Sequence, residues 1–166
     1  MTGVILALDI GAKRIGVAVS DELGILASPR TVIFRRSTQA ALDEIVRLVR
    51  AEEAALVVVG LPVSFDGQLH SQAHAVQRFA ERLRKLLDAH DVPLVYADET
   101  LSTVRAEERL RAAGVRRERI RERVDAMAAA VILEEYLDQR QRNARQGEYL
   151  AERPATGRES EEDERR

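Results

Sequence analysis

Residues 55–59 form the feature that most limits the fold, because this run is apolar at every position and is ended by Gly-Leu-Pro at 60–62. A strand that is apolar on both faces is typical of the interior of a parallel sheet covered by helices on both sides. The chain has 166 residues, which is long enough for one domain with a proper core. We therefore expect a single α/β domain built around this strand.

The segments on either side of this run predict the rest of the sheet. Residues 4–10 and 14–20 are short apolar runs that predict a hairpin, while 27–34 and 92–97 predict two more strands. Strands 1 to 3 are expected to be antiparallel, and strands 4 and 5 to run parallel to strand 1 through right-handed crossovers. The prediction is a five-stranded mixed sheet with helices on both faces. The first helix is expected to begin at Ser37 or Thr38, and the other three to span 71–89, 103–113 and 119–142.

The C-terminal part of the chain differs in composition from the rest. Apolar periodicity stops after Gly147, and residues 152–166 are almost wholly polar and charged. Such a segment cannot bury enough apolar surface to offset its ordering entropy. We expect a folded domain over 1–147 and a disordered charged tail over 148–166.

Composition excludes several classes of chemistry. The chain has no cysteine, which rules out disulfides, thiolate zinc sites and cysteine nucleophiles. Aromatic residues are only 4% of the chain, which argues against a base-stacking platform as the main binding device. No apolar run approaches the roughly 18 residues needed to cross a bilayer, and no secretory leader pattern is present. We expect a cytoplasmic protein that does not bind membranes.

Acidic residues follow two of the predicted parallel strands. Asp9 ends the first strand, and Asp98 and Glu99 come directly after the fifth. Because ligands of open α/β sheets bind at the carboxyl ends of strands, we expect these acids at one edge. Neighbours on a strand face opposite ways, so only one of Asp98 and Glu99 easily faces Asp9, and the longer reach of Glu99 favours it. The alternatives are a turn cap for Asp9 and a helix cap for the 98–100 segment.

A third acid, Asp125, lies in a helix that is apolar nearly all round. Ala128, Ala129 and Ile132 share its face, and small residues there would let the helix approach the sheet closely. The alternative for Asp125 is a single salt bridge to Arg121.

Three carboxylates without a neighbouring histidine or cysteine are hard oxygen ligands, which suit Mg²⁺ or Mn²⁺. Asp9, Glu99 and Asp125 are therefore the predicted metal ligands, and two ions held there could hydrolyse a phosphodiester. The three histidines, His70, His74 and His90, lack the spacing of a metal set.

Basic residues are concentrated next to the predicted acids. Residues 105–123 contain eight arginines against four glutamates, and Lys13 and Arg14 follow Asp9. Such a run is commonly a solvated helix face, but its place between two of the acids favours contacts to a phosphate backbone. The predicted nucleic-acid contacts are Lys13, Arg14, Arg105, Arg109, Arg116 and Arg117.

Four motifs, in order over residues 4–137, resemble those of the YqgF family, also called RuvX. They are LDIG at 8–11 with KRIG at 13–16, VGLP at 59–62 with DG at 66–67, DETLST at 98–103, and VDAMAA at 124–129 with IL at 132–133. The resemblance implies an RNase H-like fold related to Holliday-junction resolvases, and a nuclease that processes the 5′ end of precursor 16S ribosomal RNA. It also implies an acidic catalytic site at Asp9, Glu99 or Asp98, and Asp125.

The chain departs from the family pattern at Thr100, where the third motif usually has an arginine. Related resolvases also carry an acid at the end of the fourth strand, where this chain has Gly-Leu-Pro at 60–62. Other functions stay open: cleavage of branched DNA, a non-catalytic role in ribosome assembly or transcription, or ATP binding of the actin and sugar-kinase type. The single predicted lobe counts against the last of these, and a homodimer is left open.

Overall fold

The computed structural model of the chain describes residues 3–62, 70–99 and 102–151. Five strands form one sheet: β1 (Ile5–Ile10), β2 (Arg14–Ser20), β3 (Ala27–Phe34), β4 (Leu56–Leu61) and β5 (Leu94–Asp98). Their order is β3-β2-β1-β4-β5. The first three strands are antiparallel, β4 is parallel to β1, and β5 is parallel to β4. The predicted mixed sheet is confirmed, with the fully apolar run in the interior strand β4.

Four helices follow the predicted order: α1 (Thr38–Ala51), α2 (Ser71–Asp88), α3 (Ser102–Ala112) and α4 (Arg117–Ala151). The side chain of Ser37 accepts a hydrogen bond of 3.0 Å from the backbone N–H of Ala40, so it caps α1 as expected. None of the helices in the described part of the chain is long and apolar enough to cross a membrane.

The last helix is longer than predicted. It begins at Arg117 and continues to Ala151, beyond the expected end at Arg142. Apolar periodicity indicates a helix only where one face is buried, and between positions 117 and 147 the last buried residue of α4 is Leu137. Between positions 138 and 147 the helix is mostly exposed and carries polar pairs such as Gln139–Asn143. Residues 152–166 lie outside the described residues, so the disordered tail stays a prediction.

Alternation along β1 divides the core between the two faces of the sheet. Leu6 and Leu8 pack in the cluster that α1 and α2 cover, whereas Ile5 and Ala7 pack in the cluster that α4 covers. Asp9 has the same parity as Ala7, so its side chain lies on the α4 face. The acid at the end of β1 is therefore placed beneath the helix that carries Asp125.

Two strand glycines allow α4 and its neighbours to approach the sheet closely. A Cβ atom on Gly16 of β2 would lie 1.8 Å from the backbone carbonyl oxygen of Asp125. A Cβ atom on Gly60 of β4 would lie 2.6 Å from Ile132 Cδ1 and 2.9 Å from Glu99 Oε2. Side chains at these positions would push the layers apart at the edge where Asp9 lies.

Candidate active site

The carboxyl edge of the sheet brings Asp9, Glu99 and Asp125 together. Asp9 is paired across β1 and β2 with Gly16, and the backbone of Asp125 rests on that same glycine. Glu99 follows β5 directly, and its side chain is hydrogen-bonded to that of Asp9. The three acids thus come from two strand ends and one helix, as the sequence predicted.

The electrostatic state of Asp9 reflects this crowding. Burial raises the pKa of the Asp9 carboxyl above its usual value, the hydrogen bond with Glu99 offsets part of that rise, and the negative charge of Asp125 adds to it. A cation bound here would oppose the rise in the pKa of Asp9, because positive charge favours the ionised carboxylate.

Asp125 has an incompletely satisfied carboxylate. Its Oδ2 atom is buried, and none of the described residues donates a hydrogen bond to it. Arg14 Nε lies 2.9 Å from this oxygen, which makes an ion pair, but the N–H is not aligned for a hydrogen bond. The partner is Arg14 rather than Arg121, which the sequence suggested as the alternative. Buried polar atoms are normally satisfied, so an unused lone pair here is a feature of the site.

The residues fit a divalent cation in chemistry and in charge. The donors are carboxylate oxygens without histidine or cysteine, which is the set that Mg²⁺ and Mn²⁺ prefer. The Oδ2 atom of Asp125, which accepts no hydrogen bond from the described residues, and the raised pKa of Asp9 both indicate a site with room for more positive charge. Within the described ranges, no three acidic or histidine side chains already have the spacing of a ligand set. The side chains of Asp9 and Glu99 are instead hydrogen-bonded to each other.

The two candidates for the second carboxylate separate in space. Glu99 is next to Asp9, whereas Asp98 is exposed on the last residue of β5. Asp98 lines an open groove of about 640 Å³ with Tyr96, Arg105 and Arg142 among others. The geometry therefore favours Glu99 for the site around Asp9, and the catalytic roles themselves stay a proposal.

The predicted nucleic-acid contacts differ in their surroundings. Lys13 is exposed in the β1–β2 turn, and Arg14 is the partner of Asp125. Arg105 and Arg109 are ion-paired with glutamates of α4. Arg116 and Arg117 are exposed where α3 passes into α4. The predicted loop motif at 66–67, which lies in the 63–69 segment, and Thr100 are outside the described residues.

Arg35 is a residue of this edge that the sequence reading missed. Its Nη1 atom donates a 2.8 Å hydrogen bond to the carbonyl oxygen of Gly11, and its guanidinium stacks over the ring of Phe79 at 4.8 Å. Arg35 thereby holds the turn that follows Asp9. An arginine that follows an edge strand has no distinctive sequence signal. A glycine inside a strand, as at positions 16 and 60, is a signal, because it indicates close approach of another part of the chain.

The fold is the RNase H-like fold of the Holliday-junction resolvases. The chain is similar in structure to Thermus thermophilus RuvC in complex with Holliday junction substrate, with a TM-score of 0.55 and 16% identity over 84% of this chain and 96% of that chain. Within that class the chain belongs to the RuvX family. The family model, described as Holliday junction resolvase, matches residues 3–139. The resemblance carried by the four motifs is confirmed.

Two curated relatives extend the comparison. A protein of Chloroflexus aurantiacus is 43% identical over 140 residues, which are 84% of this chain and 90% of the relative. A protein of Synechococcus sp. strain JA-3-3Ab is 46% identical over 135 residues, which are 81% of this chain and 83% of the relative. Both carry the name "Putative pre-16S rRNA nuclease".

Proposed function

We propose that this chain is a divalent-metal-dependent nuclease that hydrolyses phosphodiester bonds in structured RNA. Its proposed substrate is the 5′ end of precursor 16S ribosomal RNA, which places it in ribosome biogenesis in the cytoplasm. The observation that carries the proposal is the convergence of Asp9, Glu99 and Asp125 at the carboxyl edge of a resolvase-type sheet. Membership of the RuvX family and the names of the curated relatives support it.

The chemistry follows from what these residues hold. Asp9, Glu99 and Asp125 would be the ligands of Mg²⁺ or Mn²⁺, which when bound supplies Lewis acidity toward the phosphate and activates water. The partial burial of the acids keeps their charges weakly screened, so this edge attracts a divalent cation strongly. Arg14 balances part of that charge beside Asp125 and fixes the carboxylate in place.

The direct test is Asp9→Asn, which keeps the shape of the side chain and removes its charge. We expect this variant to lose cleavage of a precursor 16S RNA in Mg²⁺ and in Mn²⁺, while its circular dichroism and RNA affinity stay close to those of the wild type. Undiminished cleavage by a clean preparation of the variant would falsify the proposal. Binding of RNA by the wild type with no metal-dependent cleavage would support a non-catalytic role instead.

Branched DNA is the second candidate substrate, because both the family description and the similar structures name Holliday junctions. A four-way DNA junction tested beside the precursor RNA, in the same buffer and metal, separates the two. We expect the RNA to be the better substrate. Mapping of 16S 5′ ends after depletion, with rescue by the wild type but not by Asp9→Asn, would place the activity in the cell.

A further inference from the structure

The arginines of α3 are engaged with the neighbouring helix. Arg105 forms an ion pair with Glu135, and Arg109 donates two hydrogen bonds, of 2.8 and 2.6 Å, to the carboxylate of Glu134. The hydrogen bond to Glu134 also raises the pKa of the Arg109 guanidinium. A phosphate could recruit these two cations only by competing with carboxylates that already hold them. Their role is to hold α3 against α4.

The arginines that follow α3 are arranged differently. Arg116, Arg119 and Arg123, together with Gly114 and Val115, line an open concavity of about 440 Å³, which we call the turn hollow. All three arginines are exposed, and within 102–151 and the other described ranges no acidic side chain lies at ion-pair distance from them. A Cβ atom on Gly114 would meet nothing within 4 Å, so the hollow is open on that side. Three arginines thus line one concave surface.

The position of the turn hollow relative to Asp125 determines what it could contact. Arg119 precedes Asp125 by six residues, which is about 9 Å along the helix axis. Arg123 precedes it by two residues, which is about half a turn around the helix. The hollow therefore lies near the same end of α4 as the acidic site but faces away from it. It is too far away to touch the bond that is cut, and near enough to contact the same nucleic acid a few nucleotides away.

We propose that the turn hollow binds phosphate groups of the RNA backbone that flank the cleaved bond, and that Arg105 and Arg109 do not. This inference rests on the proposed function for the identity of the nucleic acid. A guanidinium presents a planar fork of donors that matches phosphate oxygens. In the part of the chain that the structure describes, no carboxylate is ion-paired with these three arginines. The proposal changes which arginines are expected to contact the nucleic acid. Arg116 is kept from the sequence prediction, and Arg119 and Arg123 replace Arg105 and Arg109.

Three double variants with the same change in charge test the proposal. Arg119→Gln/Arg123→Gln removes two cations from the hollow, Arg105→Gln/Arg109→Gln removes two from α3, and Arg47→Gln/Arg50→Gln removes two from the distant end of α1. The dissociation constant for a precursor 16S RNA is measured at several salt concentrations without divalent cations, so that no cleavage occurs. The dependence of log K on log salt counts the phosphates contacted.

We expect the hollow variant to bind RNA more weakly and to lose about two units of salt slope, one per lost phosphate contact. The α1 and α3 variants should keep the wild-type slope, although the α3 variant should unfold at a lower urea concentration. Circular dichroism of each variant verifies the fold. An unchanged slope in the hollow variant, or an equal loss in the α3 variant, overturns the proposal.

Failure of the phosphate-binding proposal can be distinguished from failure of the proposed nuclease function. If the wild type fails to cleave the RNA with Mg²⁺ or Mn²⁺ but the hollow variant loses salt slope, the proposed nuclease function fails and the hollow remains an RNA-binding site. If the wild type cleaves the RNA and all three double variants share its slope, only the assignment of the hollow fails.

Discussion

The two faces of the sheet differ in how the covering helices pack against the strands. On the face covered by α1 and α2, large aliphatic side chains such as Leu42 and Leu83 are fully buried between the layers. On the face covered by α4, the small side chains of Ala129 and Ala130 are buried beside Ile132 and Leu133, and the helix backbone rests directly on Gly16. Both faces bury aliphatic side chains, but only the α4 face adds a direct contact between helix backbone and strand, at Gly16.

This difference separates stability from chemistry. Burial of large apolar side chains contributes about 25 cal/mol per Å², so the α1/α2 face supplies much of the folding free energy. The α4 face has less apolar volume to bury but brings helix and strands close enough for Asp125 to influence Asp9. A site made of three neighbouring carboxylates needs that close approach. Such a site lowers the stability of the fold, because partly buried acids are destabilising unless their charge is compensated.

The largest effect is expected from Gly16→Ala, which breaks the backbone contact of the α4 face. The new Cβ would lie 1.8 Å from a backbone oxygen, which cannot rotate away as a side chain could. We expect a loss of about 3 kcal/mol or more in the free energy of unfolding, at the upper end for overpacking, together with loss of cleavage. Urea denaturation and a cleavage assay measure both.

Gly147→Ala is the matched control for that substitution. Gly147 lies in the exposed part of α4, and a Cβ there would meet nothing within 4 Å. The same change should therefore stabilise the protein, by about 0.5–1 kcal/mol, because alanine is the better helix former. A Gly16→Ala protein as stable and active as this control would show that α4 does not need the close contact.

A deletion on the opposite face should separate the two properties. Leu83→Ala removes a fully buried side chain of α2 and leaves a cavity, for an expected loss of about 2–5 kcal/mol in stability. Cleavage per folded molecule should stay close to that of the wild type, because Leu83 packs on the face away from Asp9. Activity that falls further than the folded fraction, as measured by denaturation, would contradict the division between the faces.

Within the site, Glu99→Gln and Asp98→Asn form a matched pair. Each removes one charge, but only Glu99 contacts Asp9. We expect Glu99→Gln to lower the cleavage rate at least about 100-fold, since even residues behind metal ligands commonly cost 10–100-fold. Asp98→Asn should cost far less in the same assay. The reverse order would return the second carboxylate to Asp98.

The smallest effect is expected at Asp21, in the turn between β2 and β3. The backbone N–H groups of Leu26 and Ile25 donate to its carboxylate and lower the pKa of Asp21. The stability that this carboxylate adds should be present above the unfolded pKa of about 3.9 and be lost as the pH falls through the lower folded pKa. Urea midpoints of the wild type and Asp21→Asn should therefore converge on acidification. A constant difference from pH 7 to pH 2 would refute this, and cleavage at pH 7 should be unaffected.

Strand order, parity and the meeting of the acids could be predicted because each depends on local pattern. The apolar run in β4 indicated its interior position. Alternation along β5 indicated that only one of Asp98 and Glu99 easily faces Asp9, and the longer reach of Glu99 favoured it. These inferences need only the period of a strand and the rule that parallel strands end at one edge.

The features that could not be predicted are long-range or lack a burial signal. The partner of Asp125 is Arg14, more than one hundred residues away, rather than the nearby Arg121. The pairing of Arg105 and Arg109 with α4 depends on how the two helices dock, which charge patterning alone does not specify. The extension of α4 to Ala151 has no apolar periodicity to reveal it.

The contact at Gly16 has a consequence for how freely this chain can change. Saturation mutagenesis of position 16 should return essentially glycine alone as a functional residue. Every other amino acid has a Cβ atom, and the backbone carbonyl of Asp125 leaves no room for one. Buried positions such as Leu83 should instead tolerate several hydrophobic residues of similar volume. The position that should tolerate the fewest substitutions is thus a glycine, which has no functional group.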